Sequence, residues 1–176
     1  MKNAATRKRE FGFTLVEMLA ALIGAVVVIA AATGFMLTAA IRQYKVFGAN
    51  ALEARHEALA EVMSASIKSA TAFQIYTTDP GIKFGSSSLP PGESTGNLLV
   101  CLRSGVVEEF ALAGNEISYT QLDGGDPRVK YFGDASTTGG APLFDANLGL
   151  IQAHWDVVTS LDMVPFSVYG LPLSMQ

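Results

Sequence analysis

The sequence predicts an α+β fold. A long N-terminal helix, apolar enough in its first half to cross a membrane, packs in its second half against a small antiparallel β-sheet head. Three observations carry this. Residues 18–41 contain no charged side chain. After Arg42 the apolar positions keep a helical period, and from residue 98 short alternating runs separated by glycine-containing turns replace it. The 176 residues suffice for one small domain plus an anchor, not for two sizeable domains.

The mean hydropathy of +0.32 averages two kinds of polypeptide, since the apolar content is concentrated before Arg42. Charge is uneven too. Residues 1–12 hold Lys2, Arg7, Lys8 and Arg9 against Glu10 alone. Removing these four bases and one acid from the chain's 12 and 16 leaves 8 and 15, a net of −7. An acidic body without a basic patch argues against a nucleic-acid partner. The single cysteine, Cys101, excludes an intramolecular disulfide. It lies in the apolar run 98–102, which fits a small buried hydrophobe better than a reactive thiol.

As a helix, residues 18–41 would extend roughly 36 Å, enough for a hydrocarbon core of about 30 Å. The basic leader before the span keeps the N-terminus in the cytoplasm and outweighs Arg42 and Lys45 after it. Three readings compete. A secretory signal peptide should have a shorter apolar core, with its cleavage site at the far end. A plain signal anchor fits the hydropathy. The third is a segment cut before the apolar stretch. Glu17 bears on the choice, because a carboxylate at the centre of a membrane helix costs about 2.5 to 3.5 kcal/mol, and less near the interface. It either has a partner or reaches the headgroup level.

The string Phe11-Gly12-Phe13-Thr14-Leu15-Val16-Glu17-Met18-Leu19 resembles the signature of type IV prepilins and type II secretion pseudopilins. The resemblance covers roughly the first thirty to forty residues. It implies cleavage by a prepilin peptidase between Gly12 and Phe13, N-methylation of Phe13, and an assembly role for Glu17, the fifth residue of the mature chain. The amine left at Phe13 would lie close to the Glu17 carboxylate, and Glu17 of an incoming subunit could pair with the amine of a neighbour. An unpaired charge in a low-dielectric bundle is costly, so such pairing favours registered docking. Many members carry a proline inside the apolar helix; this chain has only Gly24 and Gly34 there, and Gly34 is the place where bending is expected. The organisation that follows is a cleaved leader, 1–12, a transmembrane and filament-core helix, 13–41, and a periplasmic or extracellular head, 42–176.

Beyond Arg42, Leu52, Leu59, Val62, Met63, Ile67, Ala70 and Phe73 fall on one broad helical face, which extends the predicted helix to about Ile75. Glu53, Glu57 and Glu61 form a row at i, i+4, i+8, read as a solvated face or a docking surface. His56 has no second ligand at metal spacing and reads as a surface histidine. Residues 77–96, rich in Gly, Ser and Pro, are a loop. Strands are expected at 98–103, 106–112 and 116–122, with turns at Ser104-Gly105 and Gly114-Asn115, and again at 129–132, 150–158 and 164–169. Residues 136–142 form a second loop. In 150–158, Ile151, Ala153, Trp155 and Val157 alternate with Gln152, His154, Asp156 and Val158, which places Trp155 in the core and His154 outside.

The head has no nucleophile elbow, phosphate-binding loop or zinc spacing. Asp123, Asp126 and Asp134 lack the density of a calcium loop and read as turn residues. No catalytic residue, metal or cofactor is expected. The function expected is structural: a minor pilin or pseudopilin, in layout similar to PilW- or J-type minor subunits, anchored in the bacterial inner membrane and then built into a filament. Its partners would be other pilin or pseudopilin subunits, the prepilin peptidase, the inner-membrane assembly platform and membrane lipid. The alternatives are a filament-tip binding module, using the loops 77–96 or 136–142 for an adhesive ligand or cargo, and a membrane-anchored periplasmic enzyme.

Overall fold

The computed structural model describes residues 14–147 and 149–171. The cleavage position expected at Gly12–Phe13 lies outside them. The chain is α+β: one long N-terminal helix, α1 (Leu15–Ser69), with two antiparallel β-sheets packed against its second half. Contacts divide the chain into Met1–Tyr44 and Lys45–Gln176.

In the first unit α1 is long and apolar enough to cross a membrane, and none of its apolar window is buried within the chain. Leu15 is 83% exposed and Phe35 75%. The helix runs without interruption through Gly24 and Gly34, where an added Cβ would meet nothing within 4 Å. The two threonine hydroxyls in mid-span are satisfied locally: Thr33 donates to Ile29 O at 2.8 Å and Thr38 to Gly34 O at 2.9 Å. Such bonds to the preceding turn leave no hydroxyl needing water.

In the second unit α1 buries Ala49, His56, Leu59, Met63, Ser66 and Ile67. The helix ends at Ser69, not near Ile75, and Val62 lies on its exposed side. The residues assigned to a last helical turn form strand β1 (Ala72–Tyr76), where Phe73 and Ile75 still pack on the main core. The pattern was ambiguous, because Phe73 and Ile75 satisfy a period of two as well as a helical face. Pairing decides it. Thr71 sends both its N–H and its hydroxyl to Leu102 O, at 2.8 and 2.9 Å, and opens the ladder to the next strand.

The first sheet has the order β1-β3-β4-β5-β6, all antiparallel, with β3 (Leu98–Arg103), β4 (Val106–Ala113), β5 (Glu116–Leu122) and β6 (Arg128–Phe132). The predicted meander is present, and its first turn places Ser104 and Gly105 both at positive φ, 50° and 83°. That is the geometry whose twist matches a two-residue hairpin. Strand β3 is buried on both faces, which explains its unbroken apolar run. Leu99 and Cys101 face the helix. Leu98, Val100 and Leu102 form a second core with Tyr76 and Val107, covered by Ile82 and Leu89. The 77–96 segment is therefore partly a cover, and its end pairs as strand β2 (Thr95–Gly96).

A second sheet was not anticipated from the sequence. Its order is β10-β9-β8-β2, with β7 (Ala135–Ser136) also beside β9; β8 is Phe144–Asn147, β9 Leu150–Val158 and β10 Met163–Gly170. Two close approaches fit it to the rest. A Cβ on Gly96 would strike the Tyr76 carbonyl, and one on Gly170 would strike Ile67 of α1. Trp155, Phe144 and Ile151 of this sheet share one core with Leu59, Met63 and Ile67 of the helix and Leu99 and Phe110 of the first sheet.

Candidate functional site

Of the three residues singled out by sequence, Gly12 and Phe13 lie outside the described residues, and Glu17 is in the first turn of α1. Glu17 has a partner that sequence reasoning missed. Its Oε2 accepts the backbone N–H of Thr14 at 2.9 Å and the Thr14 hydroxyl at 3.0 Å, while the Glu17 N–H donates to Thr14 Oγ1 at 3.3 Å. This is a capping box, in which residues three apart satisfy each other's orphan groups at a helix start. The signal was Thr-x-x-Glu directly before an apolar run. The carboxylate also sits at the positive end of the helix dipole, which favours its charge. The bond proposed to be cut precedes Phe13, so cleavage would leave both members of the cap in place, one residue from the new amine.

The head contains buried polar groups of another kind. His56, expected at the surface, has no exposed area. Its Nδ1 accepts the indole N–H of Trp155 at 3.1 Å, so Nε2 carries the proton and donates to Gly133 O at 3.0 Å. Phe132 and Phe166 flank the ring, with centroids 6.1 and 5.8 Å away. Burial pulls the His56 pKa below the ordinary histidine value, against the Gly133 bond and the Asp134 charge. The imidazole is a neutral structural pin between α1 and the second sheet. Trp155 is in the core and His154 outside, as expected; His154 shares a 2.8 Å bond with Ser167 across the β9–β10 ladder.

On β4, Glu108 is buried directly opposite Cys101. Its Oε1 accepts the Tyr119 hydroxyl at 3.1 Å and lies 3.8 Å from Arg103, while Oε2 has no partner. Burial, the Glu108 charge and that hydrogen bond push the Tyr119 pKa up to about 12. Burial first, then Glu108, pushes the Cys101 thiol up, so it stays protonated and inert. On the opposite face Glu109 is pushed up by burial and by Asp79; the two line a cleft of about 290 Å³ with Thr77, Ser118 and Thr120.

Of the acidic row, Glu57 and Glu61 are exposed and Glu53 is half-buried. Asp123 pairs with Arg128 at 3.2 Å and accepts the Gly125 N–H at 3.3 Å within its turn. Among the described residues, no group of three His, Cys, Asp or Glu side chains could hold a metal ion. Comparison with known protein families, curated proteins and solved structures finds no match for this chain.

Proposed function

We propose that this chain is a structural subunit, a minor pilin or pseudopilin, of a membrane-anchored filament, cut by a prepilin peptidase after Gly12 and methylated at Phe13. The observation that carries the reading is the segment from Phe11 to Leu19, with its basic leader, its glycine and its glutamate at the fifth mature position. It leads into a helix whose apolar side chains find no cover in their own chain. Such a surface needs lipid or neighbouring helices, and a filament core supplies the second after the membrane has supplied the first. The Thr14–Glu17 cap supports the same reading. It holds the carboxylate at the start of the helix through Oε2, while Oε1, which has no hydrogen bond among the described residues, is left to accept a neighbour's charge.

The test is intact-mass and N-terminal peptide analysis of the protein from its native membranes. A chain beginning at methylated Phe13 is expected. A chain beginning at Met1, in cells with a working prepilin peptidase, removes the reading. Glu17→Ala is expected to be cut yet to enter filaments poorly, and its normal incorporation would remove the pairing role.

A further inference from the structure

Strand β10 is outermost in the second sheet, and β6 is outermost in the first. Hydrogen bonds fix which residues of each face outward. On β9 the N–H groups of His154 and Val158 donate away from β10, to Leu143 O at 3.1 Å and Asp134 O at 2.9 Å. The odd residues of β9 therefore bond β10, and the register gives their partners as Val164, Phe166 and Val168. Pro165, Ser167 and Tyr169 point to the free edge. A proline is tolerated there, where no N–H is owed to a neighbouring strand. In the first sheet, the Leu112 N–H donates to Asn97 O, so the even residues of β4 face β3. Carried across the next two registers, this leaves Val129 and Tyr131 facing outward on β6.

Each edge is a short template for another strand. Ser167 and Tyr169 each offer an N–H and a C=O, and Pro165 ends the row; Val129 and Tyr131 offer the same, and Pro127 ends theirs. In antiparallel pairing, one register joins every N–H and C=O of these residues: Ser167 with Tyr131, and Tyr169 with Val129. A slip one way sets the Tyr131 and Tyr169 carbonyls opposite prolines, which have no N–H to give. A slip the other way carries Ser167 past the end of β6.

There is room for such a strand beside β10. A groove of about 490 Å³ separates Ser167 and Tyr169 from α1, where it is lined by Ala60, Glu61, Ser64 and Lys68. In the stated register Lys130 stands opposite Val168, and cross-strand partners share a face. Val168 is buried on the side that meets the helix, so Lys130 is laid over the groove and its Glu61. Both are exposed, and neither has an ion-pair partner among the described residues. Arg128 comes level with Gly170 and Lys68, but Asp123 at 3.2 Å already balances its charge. The acidic row on α1 thus faces a complementary charge on the other edge of the same fold.

We propose that copies of this chain join head to tail, the β6 edge of one adding antiparallel to the β10 edge of the next, with Lys130 set against Glu61. The two surfaces differ, so the contact is heterologous and leaves one edge open at each end for a further copy. The pairing stands on the head alone and goes beyond the filament reading, since it does not depend on whether the leader is cut. A few hydrogen bonds and one exposed ion pair make a weak contact, and the test therefore traps it covalently.

The full chain is prepared in detergent micelles as Tyr169→Cys, Val129→Cys, Ser167→Cys and Tyr131→Cys; the native Cys101 is buried. Variants are mixed in pairs and oxidised with copper phenanthroline. Hydrogen-bonded partners lie about 5.5 Å apart at Cα, within disulfide reach. Disulfide dimers are expected from Tyr169→Cys with Val129→Cys and from Ser167→Cys with Tyr131→Cys. Little is expected from any variant alone or from Ser167→Cys with Val129→Cys. Adding Lys130→Glu to the Val129→Cys chain should lower the yield by up to about fivefold, and adding Glu61→Lys to the Tyr169→Cys chain should restore it. Absence of dimer from both matched mixtures overturns the proposal. So does equal dimer from single variants or from the mismatched mixture, because the contact is then self-paired or random. A yield that ignores both charge changes also overturns it, since a strand turned over would carry Lys130 away from Glu61.

Discussion

The two units handle polar groups within apolar surroundings in opposite ways. In residues 14–41 the side-chain polar groups are satisfied by neighbours three or four positions away: Glu17 by Thr14, Thr33 by Ile29, Thr38 by Gly34. In the head the partners are distant in sequence. His56 reaches Trp155 and Gly133, and Leu143 sends its N–H to the side chain of Asn97. Local satisfaction lets a helix stand among lipids or other helices without help from its own chain. Non-local satisfaction ties elements together, and it makes the head's stability cooperative where that of the span is not.

The largest expected effect on this contrast comes from Trp155→Ala. It removes the fully buried indole, its stack on Phe166 at 5.6 Å and, among the described residues, the one donor to His56 Nδ1. A loss of about 3 to 5 kcal/mol is expected, read as a collapse of the urea transition of the head in micelles. The helical signal of the span should remain. If both disappear together, the two units are not independent in the way their hydrogen bonds imply.

Gly170→Ala is the next step down. The added methyl strikes Ile67, and the surrounding core has no slack, with Ile67 and Ile151 fully buried. Overpacking of this kind costs about 1 to 3 kcal/mol, measured as a shifted denaturation midpoint. Ile67→Ala should cost less in the Gly170→Ala chain than in the native one, because it removes Cγ2, the atom that the new methyl strikes.

These two sites mark the limit of what the sequence discloses. The apolar span, the meander from 98 to 122, strand β9 with its alternation and the buried Cys101 were all legible, because each depends on spacing within one segment. The second sheet, the burial of His56 and the end of α1 at Ser69 were not. His56 has no periodic partner, and only the chain's return 99 residues later places Trp155 beside it. β8 and β2 are four and two residues long, too short to show a period. The Thr14–Glu17 cap is legible in principle, as Thr-x-x-Glu directly before an apolar run.

A smaller and reversible perturbation is pH. The folded state holds His56 neutral, with a pKa lowered by burial. Above the ordinary histidine value of about 6.5 the group is neutral folded or unfolded, and its contribution is fully present. As pH falls below that value the unfolded chain takes up a proton that the folded chain resists, so stability is lost progressively toward the folded-state pKa. The head should therefore unfold at lower urea at about pH 5.5 than at about pH 7.5. His56→Gln should flatten this slope. An unchanged slope would mean that the imidazole is charged in the fold, and the Trp155 bond would then need another explanation.

The smallest effect tests the other side of the contrast. Thr14→Ala deletes the hydroxyl that donates to Glu17 Oε2 and accepts the Glu17 N–H, but keeps the backbone bond. Loss of a threonine cap costs about 1 kcal/mol, and because the satisfaction is local the damage should stay local. Amide exchange in residues 15–18 should quicken, with no change in exchange across β9 or in the urea midpoint of the head. Glu17→Gln should do less, since a neutral amide oxygen can still accept the Thr14 N–H but gains less from the helix dipole. If either substitution reaches the head, the helix start and the β-sheets communicate through α1, and the separation drawn between local and distant satisfaction would have to give way to a single coupled unit.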